Sequence, residues 1–261
     1  MLILLPPSEG KTAPSRGKPL DLAGLDFPDL HAARAETLDA LVSLCTGRPS
    51  AEAAQVLGLG TTQLDLVERN AHLATAPTAR AETVYTGVLY EALDLPTLDT
   101  AARRRAARQV AITSGLFGVV RPGDRIPAYR LSADVDLPGV GKVATYWGRH
   151  LGPAVEHAAG DGLVLDLRSG AYAPFWRPPR PLAARVATVR VLHEVDGRRK
   201  VVSHFNKATK GRLVRDLLTQ GAAPRTPAEL AGVLMDLGHQ VEIGEPAAGK
   251  PTPLDVVVTA L

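Results

Sequence analysis

The 261-residue chain is poor in the residues that staple small folds or hold metals: one cysteine, two methionines, two tryptophans, and aromatics at only 4%. A lone thiol, Cys45, cannot close an internal disulfide, and no Cys/His spacing has the form of a zinc site. It sits in the helix-like stretch Leu38 to Leu44, which reads it as a buried structural thiol rather than a nucleophile. No apolar run approaches the roughly 18 residues of a membrane span, and the N-terminus lacks the basic region and long apolar core of a secretory signal. The expectation is a cytoplasmic chain with no membrane partner, no metal and no cofactor. A strong excess of one charge is also missing. A net charge of +3 permits nucleic acid or anionic ligands without demanding either.

What is present is a chain with 45% hydrophobic and 22% charged residues, enough for one sizeable core. It opens MLILLPPSEGKT, an apolar run from Leu2 to Leu5 that reads as a strand delivering Ser8, Glu9, Gly10, Lys11 and Thr12 beyond its end. Gly10-Lys11-Thr12 has the tail of a phosphate-binding loop, but the first glycine position of that motif is Leu5. The following helix is missing as well, because Pro14, Gly17 and Pro19 disfavour it. Nucleoside-triphosphate hydrolysis through this loop is therefore set aside. What remains is a strand end presenting one lysine among short polar neighbours.

Elements then alternate without a linker or repeat. A punctuated loop runs to about Pro28, and Leu30 to Leu44 has the stripe of an amphipathic helix. A helical pair spans Ala51 to Leu73; Thr83 to Leu93 and Asp99 to Arg108 are also read as helices. Arg103, Arg104, Arg105 and Arg108 form a block that reads as a solvated face. Val110 to Thr113 is expected as a strand, and Ser114 to Asp124 as too glycine-punctuated for a regular element. Tyr129 to Leu131 reads as extended, Tyr146 to Ala159 as a helix carrying Trp147, and Leu163 to Leu167 as a buried strand. Arg185 to Val195 and Arg199 to His204 read as a hairpin about Asp196-Gly197. Lys207 to Leu218 and Pro227 to Leu237 read as helices, and Gln240 to Ile243 and Asp255 to Thr259 as closing strands. This alternation predicts a mixed α/β (α+β) fold: a single domain over residues 1–261, with a central mixed sheet and surrounding helices.

Two more segments carry chemistry. In Val56-Leu57-Gly58-Leu59-Gly60-Thr61 a helix ends in apolar-Gly-apolar-Gly and restarts at threonine. That pattern is either a helix-hairpin-helix, whose Gly58, Gly60 and Thr61 approach a nucleic-acid phosphate, or an αα-hairpin capped by glycine and threonine. Asp65 and Glu68 precede Arg69, so nucleic-acid contact through it is expected to be weak. In the second segment Asn206 reads as the N-cap of a helix on which Lys207 and Lys210 share a face with Val214 and Leu217. Cations at a helix N-terminus oppose the macrodipole by a few tenths to about 1 kcal/mol. Either an anion is bound there or the lysines reach out to solvent.

Several stretches together resemble the YaaA family of bacterial peroxide-stress proteins. They are the opening MLILLPPSEGKT, Ser114 to Asp124, Tyr129 to Leu131, Tyr146-Trp147-Gly148, Leu165 to Tyr172, and Phe205 to Arg212. The resemblance runs in order from Met1 to about Leu218. It implies a compact mixed α/β fold with a helix-hairpin-helix at about residues 51–73, DNA as a partner, and protection against hydrogen peroxide. The positions it carries over are Lys11, Arg121, Tyr129, Arg130, Asp166, Ser169, Tyr172, Lys207, Lys210 and Arg212.

By chemistry these residues suit an anionic-ligand site, since arginines offer planar paired donors and lysines point charges. Lys11, Asp166, Ser169 and Lys207 are the candidates for catalysis; Arg121, Tyr129, Arg130, Tyr172, Asn206, Lys210 and Arg212 are those for binding phosphate or another anion. Asp166 reads equally as a base or as the ion-pair partner of Arg168, and Trp147 as core before stacking platform. Crowded positive charge would lower the Lys11 pKa and make it an amine nucleophile or base. Three functions stay open: a DNA-binding stress protein, an enzyme on a nucleotide, damaged base or other anionic small molecule, and a passive anion binder. The expectation that ties them together is spatial: Lys11 close to Lys207, Lys210 and Arg121.

Overall fold

The computed structural model describes residues 1–195, 198–200 and 203–259. Along the chain, β1 (Leu2–Leu5) leads through a long loop to α1 (His31–Gly47), α2 (Ser50–Val56) and α3 (Leu64–Ala71). Then come β2 (Ala79–Arg80), α4 (Ala81–Val84), α5 (Val88–Leu93), α6 (Thr100–Gln109), β3 (Val110–Ser114), β4 (Gly118–Val120) and β5 (Arg125–Ile126). They are followed by β6 (Asp136–Leu137), β7 (Gly141–Lys142), α7 (Val143–Ala159), β8 (Val164–Asp166), α8 (Arg180–Ala183), β9 (Val186–Val195) and β10 (Arg198–Lys200). The chain closes with α9 (Ser203–Gln220), α10 (Pro227–Asp236), β11 (Gln240–Ile243) and β12 (Thr252–Val258).

The main sheet has the order β11-β12-β9-β8-β1-β3-β4, with β10 paired to β9. Its central strands β12, β9, β8, β1 and β3 are parallel, while β4 and β11 pair antiparallel at the two edges. β1 lies inside this arrangement between β8 and β3, and its four side chains are all buried. A strand covered on both faces reads as an unbroken apolar run, which is what Leu2 to Leu5 is. Each such side chain contributes roughly 1.5–3 kcal/mol. The expected mixed α/β fold with a central mixed sheet is the fold observed, and one continuous apolar core runs through it.

The topology also fixes where a ligand cleft belongs. From β1 the chain crosses to β3 on one side, and from β8 it crosses to β9 on the other. The loops leaving the carboxyl ends of β1 and β8 therefore part, although the strands are neighbours (Leu4 pairs with Asp166). In open parallel sheets such a divergence leaves a crevice at the strand ends.

Four sequence expectations are corrected. Thr83 to Leu93 is two short helices, α4 and α5, broken at Thr86-Gly87, where Gly87 takes φ +92°. Gly118 to Val120 is a short strand on the edge of β3, opened by Gly118 at φ +71°, where a Cβ would lie 2.6 Å from the Trp147 ring. Of the strand expected over Arg199 to His204, Arg199 and Lys200 are in β10, Val201 and Val202 lie outside the described residues, and Ser203 and His204 already belong to α9. The turn at Asp196-Gly197 lies outside the described residues, although β9 and β10 pair antiparallel on either side of it. Asn206 is consequently inside the first turn of α9 and is not its N-cap.

The arginine block also departs from a purely solvated face. Arg105 turns inward and donates to the carbonyls of Leu218 (2.6 Å) and Thr219 (3.1 Å), satisfying the end of α9. Trp147 is fully buried and donates its indole N–H to the Gly115 carbonyl at 2.7 Å, which makes it core. Cys45 is buried, and burial pushes its thiol up to about 11, out of the range of a nucleophile at neutral pH.

Candidate functional site

At the parting of β1 and β8 there is a recessed cavity of about 600 Å³. Three walls meet there: the loop Pro6 to Gly10 after β1, the loop Leu167 to Tyr172 after β8, and the facing surfaces of α5 and α9. The volume lies within the range of small-molecule sites.

The first wall is tightly built. The Ser8 hydroxyl donates to the Gly10 carbonyl at 2.6 Å and accepts the Thr86 N–H at 3.0 Å. Tyr90 donates its hydroxyl proton to the Pro6 carbonyl at 2.7 Å, and the Thr12 N–H reaches the Val84 carbonyl at 2.9 Å. Gly87 thus breaks the helix so that its flanks can hold this loop. Lys11 turns back beneath it: Nζ donates to the Ser8 carbonyl at 2.7 Å and lies 4.3 Å from the Tyr129 ring centroid and 5.4 Å from that of Tyr85. No ion pair to Lys11 occurs among the described residues. Burial lowers its pKa to about 7, so the predicted shift has a different cause from the predicted crowding of cations.

The second wall depends on Arg168. This guanidinium grips Asp166 through Nε (2.8 Å) and Nη2 (2.6 Å) and also donates to the carbonyls of Tyr172 (3.1 Å) and Trp176 (2.8 Å). Of the two readings of Asp166, the ion pair is therefore the one present. Its consequence is a fixed loop, since one buried fork ties residue 166 to residues 172 and 176. Ser169 is exposed in the cavity wall, and its carbonyl accepts the Tyr172 N–H at 2.9 Å. Tyr172 lines the cavity too, with its phenol pushed up by burial.

The third wall brings Asn206, Lys207 and Lys210 of α9 to the cavity. They arrive because Gly211 lets α9 lie against α5: a Cβ there would sit 2.3 Å from the Leu89 carbonyl oxygen. Val214 and Leu217, on the same face, are fully buried and anchor it. Lys210 Nζ donates to the Leu167 carbonyl at 3.3 Å; burial lowers its pKa, and the nearby Asp166 opposes that shift in part. Neither lysine has a carboxylate within ion-pair distance among the described residues, because Asp166 is taken by Arg168. Asn206 Oδ1 is buried without a hydrogen-bond partner.

Residues 1–242 match the family described as peroxide stress protein YaaA. The chain belongs to this family. It is 55% identical over 259 residues to a UPF0246 protein of Streptomyces coelicolor, covering 99% of this chain and 98% of that one. It is 43% identical over 262 residues to a UPF0246 protein of Corynebacterium efficiens, covering 99% and 100% of the two chains. An uncharacterized protein of Campylobacter jejuni is 28% identical over 215 residues, or 82% of this chain and 83% of the other.

Within this YaaA chain not all the expected site residues converge. Lys207, Lys210, Asn206, Ser169 and Tyr172 line one cavity, and Lys11 packs under its first loop. Arg121 goes elsewhere: it donates to the Val110 carbonyl at 3.0 Å and lies over the Phe27 ring at 4.7 Å, so the expected approach of Lys11 to Arg121 is not what the fold builds. The turn that follows it, closed by Asp124 accepting the Arg121 N–H at 2.8 Å, aims the side chain away from the cleft. Arg212 is exposed and is absent from the cavity wall, two residues on from Lys210 and so turned about 200° around α9. Tyr129 is a core residue whose hydroxyl meets those of Ser114 (2.7 Å) and Tyr85 (3.0 Å). Arg130 pairs with Glu9.

Sequence reasoning missed Tyr85, Tyr90 and Thr86, which hold the first wall, because they fell inside a stretch read as one helix. The Thr86-Gly87 step was the available signal. The α2–α3 hairpin is a separate place. Gly58 has φ +65° with open space around it, Gly60 donates its N–H to Gln63 Oε1 at 3.1 Å, and Thr61 is exposed. Arg69 is half-buried and reaches Asp65 at 3.7 Å.

Proposed function

We propose that this member of the YaaA peroxide-stress family binds an anionic small molecule, one bearing phosphate or carboxylate, in the cleft between the β1 and β8 loops. The observation that carries this is the pair Lys207 and Lys210 of α9 in the wall of a recess of about 600 Å³, with no carboxylate partner among the described residues. Lys210 is half-buried and Lys207 exposed in the same wall; a half-buried cation normally has a counter-charge, and Lys210 without one, beside a second lysine, favours an anion. The walls around them, Pro6, Pro7, Val88, Leu89 and Tyr90, are mostly apolar and suit the body of a nucleotide-sized molecule. An enzymatic form of the same reading gives Lys11 the role of base or amine nucleophile, since burial lowers its pKa to about 7.

Calorimetric titration with inorganic phosphate and with a nucleoside monophosphate tests the reading. Lys207→Ala/Lys210→Ala is expected to weaken both by at least about tenfold, as loss of two charge-assisted contacts would. Equal binding by the double variant and the parent would overturn it. In cells, the same variant should fail to restore survival under hydrogen peroxide.

DNA is the second reading, and the open backbone at Gly58, Gly60 and Thr61 is what favours it. It predicts an affinity for duplex DNA that falls steeply with salt. With few cations at the hairpin, that slope should be shallow if the hairpin alone makes the contact.

A further inference from the structure

Behind Glu9, a residue of the cavity wall, stands Arg130, which already holds an anion that belongs to the protein. Its Nη1 is paired with Glu9 Oε2, and the Ser132 hydroxyl donates to the same oxygen at 3.1 Å. The two partners are held very differently. Arg130 is fixed by the fold: its backbone N–H donates to Asn70 Oδ1 at 2.9 Å, its carbonyl accepts from Asn70 Nδ2 at 2.8 Å, and its side chain is only 18% exposed. Glu9 stands on the loop after β1 with its side chain 54% exposed, in the wall of the cavity. The grip is also incomplete, because Arg130 Nε is buried with no partner. The guanidinium edge that Glu9 occupies through Nη1 is the one open to exchange with another oxyanion.

We propose that Arg130 and Ser132 form an anion subsite of the cleft, and that Glu9 is its built-in occupant, displaced when a phosphate or carboxylate ligand binds. The inference rests on the cleft reading above. The exchange costs little at the Glu9 end, since an exposed carboxylate released from an ion pair returns to water. At the Arg130 end a phosphate or carboxylate oxygen takes over the contact that Glu9 makes, with the Ser132 hydroxyl beside it. Asn206 also lines the cavity and adds an amide beside the lysines. The ligand class is therefore a phosphate- or carboxylate-bearing small molecule that reaches both the lysines of α9 and the Arg130 edge.

The test is phosphate affinity in a double-mutant cycle, with Kd measured by calorimetry in the full chain and folding checked by circular dichroism. Glu9→Gln is nearly isosteric and is expected to tighten phosphate binding about tenfold, because the competitor is gone. Arg130→Gln should weaken binding, and Glu9→Gln/Arg130→Gln should bind no better than Arg130→Gln alone. If the gain from Glu9→Gln persists without Arg130, it comes from removing a negative charge at a distance, and the subsite is overturned. If Glu9→Gln leaves Kd unchanged while Lys207→Ala/Lys210→Ala abolishes binding, the subsite falls and the cleft reading stands. If neither the parent nor Glu9→Gln binds phosphate, both fall. Ser132→Ala in the Glu9→Gln background gives an independent check: it should reverse part of the gain, and no reversal assigns Ser132 no share in the subsite.

Discussion

The cleft and the α2–α3 hairpin are both marked by glycine, and each uses it for a different purpose. At the cleft Gly211 has no room for a side chain, because the Leu89 carbonyl, the Ala92 methyl and the Leu93 nitrogen all crowd its missing Cβ. At the hairpin nothing lies within 4 Å of the Cβ that Gly58 lacks, and Gly60 meets only the end of the Gln63 side chain. The first glycine permits a close approach, and that approach carries Lys207 and Lys210 into the cavity. The second permits a left-handed turn and leaves a bare surface. Charge follows the same division: two lysines with no carboxylate partner among the described residues face the cleft, whereas the nearest arginine of the hairpin leans on Asp65. A glycine-marked motif thus points to a site only when packing forces functional side chains to converge on it.

The largest way to break that contrast is at the second wall of the cleft. Asp166→Ala leaves the buried Arg168 guanidinium without its carboxylate, and breaking such a pair from one side costs about 3–5 kcal/mol. Denaturant unfolding should show that loss, while a substitution at Asp65, whose ion pair is largely exposed, should move stability by less than about 1 kcal/mol. Next in size is Gly211→Val. A side chain there must push α9 off α5, at about 1–3 kcal/mol or more, and the lysines move with the helix. Thermal unfolding measures the first effect and phosphate titration the second. A fully stable Gly211→Val with unaltered binding would show that the α5–α9 contact does not position the site.

Lys11 sharpens the comparison through pH. Its folded pKa, about 7, lies below the ordinary 10.5, so at pH values between them the unfolded chain binds more protons than the folded one. Stability from this group therefore rises as pH increases from about 7 to 10.5; below about pH 7 both states are protonated and the burial penalty is present in full. Lys11→Met is expected to be more stable than the parent at pH 6 by about 1–3 kcal/mol, less than the full penalty because the Ser8 carbonyl loses its donor. That advantage should fade as pH approaches 10.5, which urea unfolding at several pH values would follow. A constant difference between parent and variant across this range would mean that Lys11 titrates like an exposed lysine.

Much of this architecture is legible in the sequence where one physical signal dominates. The unbroken run Leu2 to Leu5 gives a two-face-buried strand, and the stripe on α9 places Lys207 and Lys210 on the face that Val214 and Leu217 anchor. Legibility ends where tertiary contact chooses between equal local options. Residues 83–93 have enough helical character for one helix, and only the demand of the Pro6 to Gly10 loop for the Thr86 N–H and the Tyr90 hydroxyl explains the break. Arg121 follows a strand end as a site residue would, yet the turn closed by Asp124 sends it to Val110 and Phe27. The Glu9–Arg130 pair joins residues 121 positions apart, a contact that no local pattern announces.

The smallest expected effect is at the hairpin, and it bears most directly on DNA. Gly60 has an extended backbone (φ −75°) and an open Cβ direction, so Gly60→Ala should change stability by no more than about 0.5 kcal/mol. Gly58→Ala forces an L-residue to φ +65° and should cost about 1 kcal/mol. If the hairpin lays its backbone against a phosphate, the order reverses in a binding assay: an added methyl at Gly60 stands between the N-terminus of the Thr61 turn and the phosphate, and weakens DNA more than its effect on folding allows. Filter binding at two salt concentrations separates the cases. Equal DNA affinity for Gly60→Ala and the parent, together with loss in Lys207→Ala/Lys210→Ala, would move any nucleic-acid contact from the hairpin to the cleft, where the phosphate of a single extruded nucleotide could reach the lysines.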